Sequence, residues 1–133
     1  MSPLGRFVPV LLIARFTADD VEPFVERVRV ALELLLAQPG CQRALLARST
    51  EAADQWVLTV EFASVSAYRR ALSPFDVRTH VIPLLAEADT TEPAAYEVVL
   101  EGQPGEVRHH VSLLAADADT VRLGEASGPA TAR

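Results

Sequence analysis

His80 is the side chain whose type and setting point most directly to chemistry. It lies one helical turn after Asp76 and one before Leu84, on the flank of an apolar stripe. An imidazole so placed can accept a proton from a bound substrate and act as a general base. Tyr68 offers a hydroxyl donor, and Trp56 offers a flat surface for stacking an aromatic substrate. Arg69, or its neighbour Arg70, can stabilise a phenolate or an oxygen-derived anion at a pocket mouth. Each has a plainer structural reading beside the chemical one. His80 then sits on a helix surface, the aromatic rings are ordinary core, and the arginines are solvated.

Other chemistries lack the residues they need. The chain has no phosphate-cradling Gly-rich loop, no G-x-S-x-G elbow and no H-E-x-x-H pair. Hydride transfer through a dinucleotide fold, kinase chemistry and serine hydrolysis therefore have no support. His109 and His110 are adjacent on an expected strand, so they point to opposite faces, and no carboxylate or Cys cluster accompanies them. No metal site is expected. Cys41 is the single cysteine, which excludes an intrachain disulfide, and it reads as a small buried hydrophobe.

The elements that must position these residues follow from hydrophobic period. Val8 to Phe16 is a short β-branched apolar run and reads as a buried strand. Val21, Phe24, Val25, Val28, Leu32, Leu35 and Leu36 then fall at helical spacing, with charged residues mostly elsewhere. Asp20 is the expected N-cap, since it puts Pro23 at the third helical position, where a missing N–H costs nothing. Pro39-Gly40 ends the helix. Cys41–Ser49 and Gln55–Ala63 read as an antiparallel hairpin. Ser64 or Ser66 caps a short helix carrying Tyr68 and Leu72. Ser73-Pro74 restarts it, with Ser73 as N-cap, and Pro83 kinks or ends it. Ala95 to Leu100 is a fourth strand. Gly102 to Gly105 is a turn, and Val107 to Leu114 reads as a further strand or an arm reaching a partner. From about Ala115 the chain reads as a loose tail.

The order strand, helix, strand, strand, helix, strand is the ferredoxin-like βαββαβ pattern of the α+β class. It gives an antiparallel sheet with both helices on one face. We expect this domain over residues 1–101 and a C-terminal extension over 102–133.

Composition agrees with one domain and adds a demand. Of 133 residues, 50% are hydrophobic and 23% charged, too apolar for a disordered chain. It is also rich for so small a core, so a second apolar face is expected to meet another subunit. The net charge of −6, with twelve Arg and no Lys, argues against binding nucleic acid or anionic membrane. The longest apolar run, Phe7 to Ala14, is too short for a membrane span, which needs about 20 residues. It also makes a poor signal peptide, so a soluble cytoplasmic protein is expected.

Several of these segments resemble the antibiotic biosynthesis monooxygenase family of dimeric α/β-barrel proteins. They are Pro39-Gly40-Cys41, Thr59-Val60-Glu61-Phe62 with Ser64 and Ala67, Ser73-Pro74-Phe75, and Pro83-Leu84-Leu85. The resemblance spans roughly residues 8 to 100. It implies a homodimer whose sheets face each other, and a pocket in each subunit between sheet and helices. Some members oxidise phenolic or quinol intermediates with dioxygen and no metal or flavin; others degrade heme, cyclise or isomerise. His80 is similar in position to the heme-ligating histidine of the heme-degrading branch. That branch's Asn and Trp are replaced here by Ala14 and Phe62.

With this topology, strand parity divides the faces. Leu12 and Ala14 of the first strand, and Trp56 and Phe62 of the third, fall on the face toward the helices. With Val77 they are expected to wall a substrate pocket. Ile13, Arg15, Thr59 and Glu61 fall on the opposite, dimer-facing side. The two central strands are expected to be parallel neighbours, which would let Arg15 and Glu61 pair across that side. The expected function is cofactor-free oxidation of a small aromatic or polyketide-like ligand, with His80 as base and Tyr68 and Arg69 orienting the substrate. The alternatives are a cyclase or isomerase on the same scaffold, or a non-catalytic ligand-binding dimer.

Overall fold

The computed structural model describes residues 8–112. The chain divides into two compact units, one spanning Pro9–Glu97 and the other described over Val98–Ser112. In the first unit the chain order is β1 (Val10–Thr17), α1 (Val21–Leu36), β2 (Cys41–Arg48), β3 (Gln55–Phe62), α2 (Val65–Ala71), α3 (Phe75–His80), α4 (Ile82–Leu85) and β4 (Ala95–Glu97). The sheet is four-stranded in the order β2-β3-β1-β4. All its ladders are antiparallel, the arrangement of the ferredoxin-like fold, and it is an open sheet, not a closed barrel.

The antiparallel β1–β3 ladder overturns one expectation. A crossover through α1 makes β2 run with β1, and the β2–β3 hairpin then reverses direction, so β3 must run against β1. In the resulting register Arg15 stands opposite Val57, and Glu61 stands opposite Leu11. The two charges lie near opposite ends of the ladder and do not pair within the subunit. The partner of Glu61 across the β2–β3 ladder is Arg43. Ile13 and Thr59, by contrast, are direct cross-strand neighbours on the face away from the core.

The core lies between the sheet and the helices. Leu12, Ala14 and Phe16 of β1 alternate inward, as do Trp56, Leu58, Val60 and Phe62 of β3. They meet Phe24, Val28, Ala31 and Leu35 of α1, Ala67 and Ala71 of α2, and Val77, Val81 and Leu84 beyond it. No polar or charged side chain is buried among the described residues.

The helix ends show where local chemistry prevailed. Asp20 is the N-cap of α1, but its side chain makes no capping bond. The third amide of the helix, a usual recipient of such a bond, belongs to Pro23 and carries no hydrogen. Ser64 caps α2 in full, its Oγ accepting from the Ala67 amide at 3.1 Å. Ser73 does not cap α3, because its hydroxyl donates back to the Arg70 carbonyl at 2.9 Å. Pro74 takes the N-cap position, and the helix starts one residue later than its sequence suggests. Pro83 has no N–H to continue the ladder, and the helix is interrupted at Val81.

Gly40 turns the chain from α1 into β2 with φ at +86°, and a Cβ built there would lie 2.5 Å from the Ala67 Cβ. Both the backbone angle and the closeness of α2 exclude a side chain. At the far side of the sheet, β4 ends at Glu97, paired with Val10 where β1 begins, so the ladder has no further partner. Leu100 accordingly lies outside β4. In the second unit β5 (Leu100–Gln103) and β6 (Glu106–His109) form an antiparallel hairpin through Pro104-Gly105. This hairpin contains the start of the strand expected from Val107. Residues 113 onward, including the expected tail, lie outside the described residues.

Candidate active site

His80 closes the last turn of α3 and is exposed. It lines an open groove of about 290 Å³ at the surface between α1 and the α3–α4 segment. The other lining residues are Glu26, Arg27, Val30, Thr79 and Pro83. Among the described residues the imidazole has no hydrogen-bond or ion-pair partner, and the Thr79 hydroxyl is committed to the Phe75 carbonyl at 2.9 Å.

The charges around the groove are held in pairs. Glu26 receives Arg29 at both carboxylate oxygens, with Nε to Oε1 at 3.0 Å, and its carboxyl is held below the usual range chiefly by that hydrogen bond. Arg29 also pairs with Glu33 one turn on. Arg27 meets Glu87 in a two-point pair, Nη1 to Oε1 at 3.0 Å and Nη2 to Oε2 at 2.6 Å. The hydrogen bond to Arg27 holds the Glu87 carboxyl below its ordinary range. Both side chains of this pair are about half exposed, and such pairs contribute on the order of 0–1 kcal/mol. Arg27 and Glu87 also border a second groove of about 210 Å³, walled by Phe16, Phe24, Pro23 and the Thr17–Asp20 turn.

The remaining residues expected at a site are placed elsewhere. Leu12, Ala14, Phe62, Val77 and Trp56 do come together, but as members of one packed core, none more than 8% exposed. The space assigned to a substrate between sheet and helices is therefore occupied by these side chains. Trp56 and Tyr68 do not share a pocket. Trp56, at the start of β3, donates Nε1–H to the Ala18 carbonyl at 3.1 Å and packs on Phe24 with ring centroids 5.3 Å apart. The Arg48 guanidinium covers it at 4.9 Å. Tyr68 is half-buried at the opposite end of β3, edge-on to Phe62. Six residues of strand separate those ends, about 20 Å. Arg69 is exposed on α2 and does not line the His80 groove.

Arg27, Glu26 and Val30 were not singled out in the sequence because they flank the apolar stripe of α1. The available signal was their mutual i, i+3 and i, i+4 spacing. It says that they share a face, not that α3 lies beside it. Cys41 is half-buried, and burial pushes its thiol up, which agrees with a packing role. His110 bonds Glu101 through Nε2 at 2.9 Å, while His109 stands exposed across from Leu100. No group of three metal-ligating side chains occurs among the described residues.

A ferredoxin-like sheet carrying its helices on one face, with an open groove along them, defines the structural class. Residues 9–78, more than half of the chain, match the family model described as antibiotic biosynthesis monooxygenase, and the chain belongs to that family. The fold is similar to that of SnoaB, a cofactor-independent oxygenase from Streptomyces nogalater. That likeness has a TM-score of 0.60 and 22% identity over 74% of this chain and 99% of the other. It is also similar to a putative antibiotic biosynthesis monooxygenase from Nitrosomonas europaea, with a TM-score of 0.53 and 15% identity over 80% and 94% of the two chains. A third similar structure, bearing the same description, comes from Chloroflexus aurantiacus, with a TM-score of 0.53 and 21% identity over 71% and 95%. At these identities the likeness is one of fold. The search of curated proteins found no match.

Proposed function

We propose that this chain is a monooxygenase that oxidises a small aromatic or polyketide-like substrate with dioxygen and without a resident cofactor. The observation that carries the reading is membership of the antibiotic biosynthesis monooxygenase family, joined to a fold shared with a cofactor-independent oxygenase. His80, without a partner among the described residues and on an open groove, is the base that removes the substrate proton. The resulting carbanion or phenolate gives one electron to dioxygen, and the radical pair joins to form a carbon–oxygen bond. The hydroperoxide then loses water, so that a methylene and O2 become a carbonyl and H2O. The orienting role expected of Tyr68 and Arg69 has no support at this groove, which neither residue lines; the packed Leu12, Ala14, Trp56, Phe62 and Val77 hold the helices in place beneath it.

The working form is a homodimer in the cytoplasm. The sheet face opposite the helices supports the dimer, since it presents Leu11, Ile13, Val57 and Thr59, with Leu45 49% exposed beside them. No helix among the described residues is long and apolar enough to cross a membrane.

The test is oxygen uptake with a hydroxyanthrone, under ¹⁸O2. One O2 consumed per product and one labelled carbonyl oxygen, above the uncatalysed rate, are expected. A general base typically supplies 10²–10⁴-fold, so His80→Ala is expected to lower kcat by about a hundredfold or more. Product formation unchanged without oxygen would overturn the oxygenase reading in favour of a cyclase or isomerase. The packed interior and the exposure of His80 favour one second reading, a ligand-binding dimer without turnover. Binding of the hydroxyanthrone with no product under any condition would establish it.

A further inference from the structure

Among the described residues, three charged or titratable side chains line the His80 groove: Glu26, Arg27 and His80. Glu26 is occupied at both oxygens by Arg29, which is not part of the groove, so it does not compete for Arg27. Among the described residues, Arg27 alone is common to this groove and the neighbouring one, and its carboxylate partner Glu87 lines the neighbouring groove but not this one. The guanidinium is thus drawn to one side by a pair that is half exposed at both ends and 60 residues apart in sequence. A solvated pair of this kind exchanges partners at small cost, because water and counterions already compete for it. A guanidinium also keeps its charge and its planar fork of donors when the partner changes.

We propose that Arg27 is the anion receptor of this groove, exchanging Glu87 for the ionised oxygen of a flat phenolate or enolate ligand. His80 supplies a second polar contact, since it has no other partner among the described residues. Val30 and Pro83 supply apolar surface for the ring. Glu87 then acts as an internal competitor that keeps Arg27 occupied when the groove is empty. This inference rests on the reading of the groove as the ligand site and assigns that site a charge preference.

The ion pair makes the proposal testable, because removing either partner breaks the same contact but has opposite consequences for the ligand. The probe is 2,4-dinitro-1-naphtholate, ionised at neutral pH, followed by its absorbance and by the chemical shifts of Val30, Thr79 and His80. Arg27→Gln is expected to weaken binding about tenfold, and Glu87→Gln to tighten it about threefold or more. The double variant should match Arg27→Gln. The methyl ether of the probe, which carries no charge, should respond to neither substitution. Circular dichroism of both variants controls for folding, and damage from losing the pair would act on both in the same direction. The proposal is overturned if Glu87→Gln weakens binding or leaves it unchanged, if Arg27→Gln has no effect, or if the naphtholate does not bind. Because the readout is binding, failure here leaves the oxygen-uptake result standing, and the reverse also holds.

Discussion

The ring of Tyr68 meets the ring of Phe62 edge-on, with centroids 5.4 Å apart. This contact fastens the first turn of α2 to the end of β3, and it uses the tyrosine's ring without its hydroxyl. The packing role of the ring and the role expected of the hydroxyl therefore separate by substitution. Tyr68→Phe should leave unfolding in urea within about 0.5 kcal/mol of the native chain, as expected where no hydrogen bond is lost. Phe62→Ala, at a fully buried position, should cost about 3–5 kcal/mol. A fall in kcat for Tyr68→Phe at unchanged stability would identify the hydroxyl as the part that serves the substrate.

The register of the central strands gives a second expectation. Arg15 faces Val57 and Glu61 faces Leu11, so the two charges are not neighbours in one subunit. A double-mutant cycle on Arg15→Gln and Glu61→Gln in the monomer should give a coupling within about 0.5 kcal/mol of zero. Ile13→Arg, placed beside Thr59 on the exposed sheet face, supplies that monomer. Sedimentation should show it near 14.4 kDa, against about twice that for the native chain. A native coupling that disappears with Ile13→Arg would place the two charges together across the dimer.

Acid stability should depend on the Arg27–Glu87 pair. The Glu87 carboxyl titrates below its ordinary 4.5 in the folded chain, so the unfolded chain binds its proton first as pH falls. Its stabilisation is present above the unfolded value and is lost as pH falls through the folded one. Glu87→Gln removes that contribution. Its unfolding free energy should fall less steeply than that of the native chain between about pH 5 and pH 3, measured by urea titration at each pH.

Gly40→Ala places a methyl group against Ala67 at a backbone angle that L-residues avoid. A cost of at least about 1–3 kcal/mol is expected from the backbone alone, read from the urea midpoint. Ala67→Gly in the same chain should recover part of it, because it removes the clash and leaves the angle strained.

Much of the fold was legible in the chain because period and turn chemistry agreed. Seven apolar residues at helical spacing from Val21 to Leu36 mark α1, and of the two serines that could cap α2, Ser64 is the one that does. Failures came where one residue had two possible partners. Ser73 could face forward as a cap or backward to Arg70, and local sequence does not rank the two. The direction of β3 relative to β1 is set by how many reversals separate them, not by their composition. His80 could be placed on the flank of its helix from spacing alone. Its neighbours Glu26, Arg27 and Val30 arrive from about fifty residues away, and only tertiary packing brings them there.

The chain has a single tryptophan, and its environment is chemically distinctive. Trp56 packs against Phe24, lies beneath the Arg48 guanidinium and donates to the Ala18 carbonyl. Phe24 and Ala18 both belong to the wall of the groove that Arg27 shares with the His80 groove. The native protein thus carries its own optical probe one side chain away from the place where Glu87 and a ligand would compete. Release of Glu87 can be followed through tryptophan emission in the unlabelled wild-type chain, in real time and at micromolar concentration.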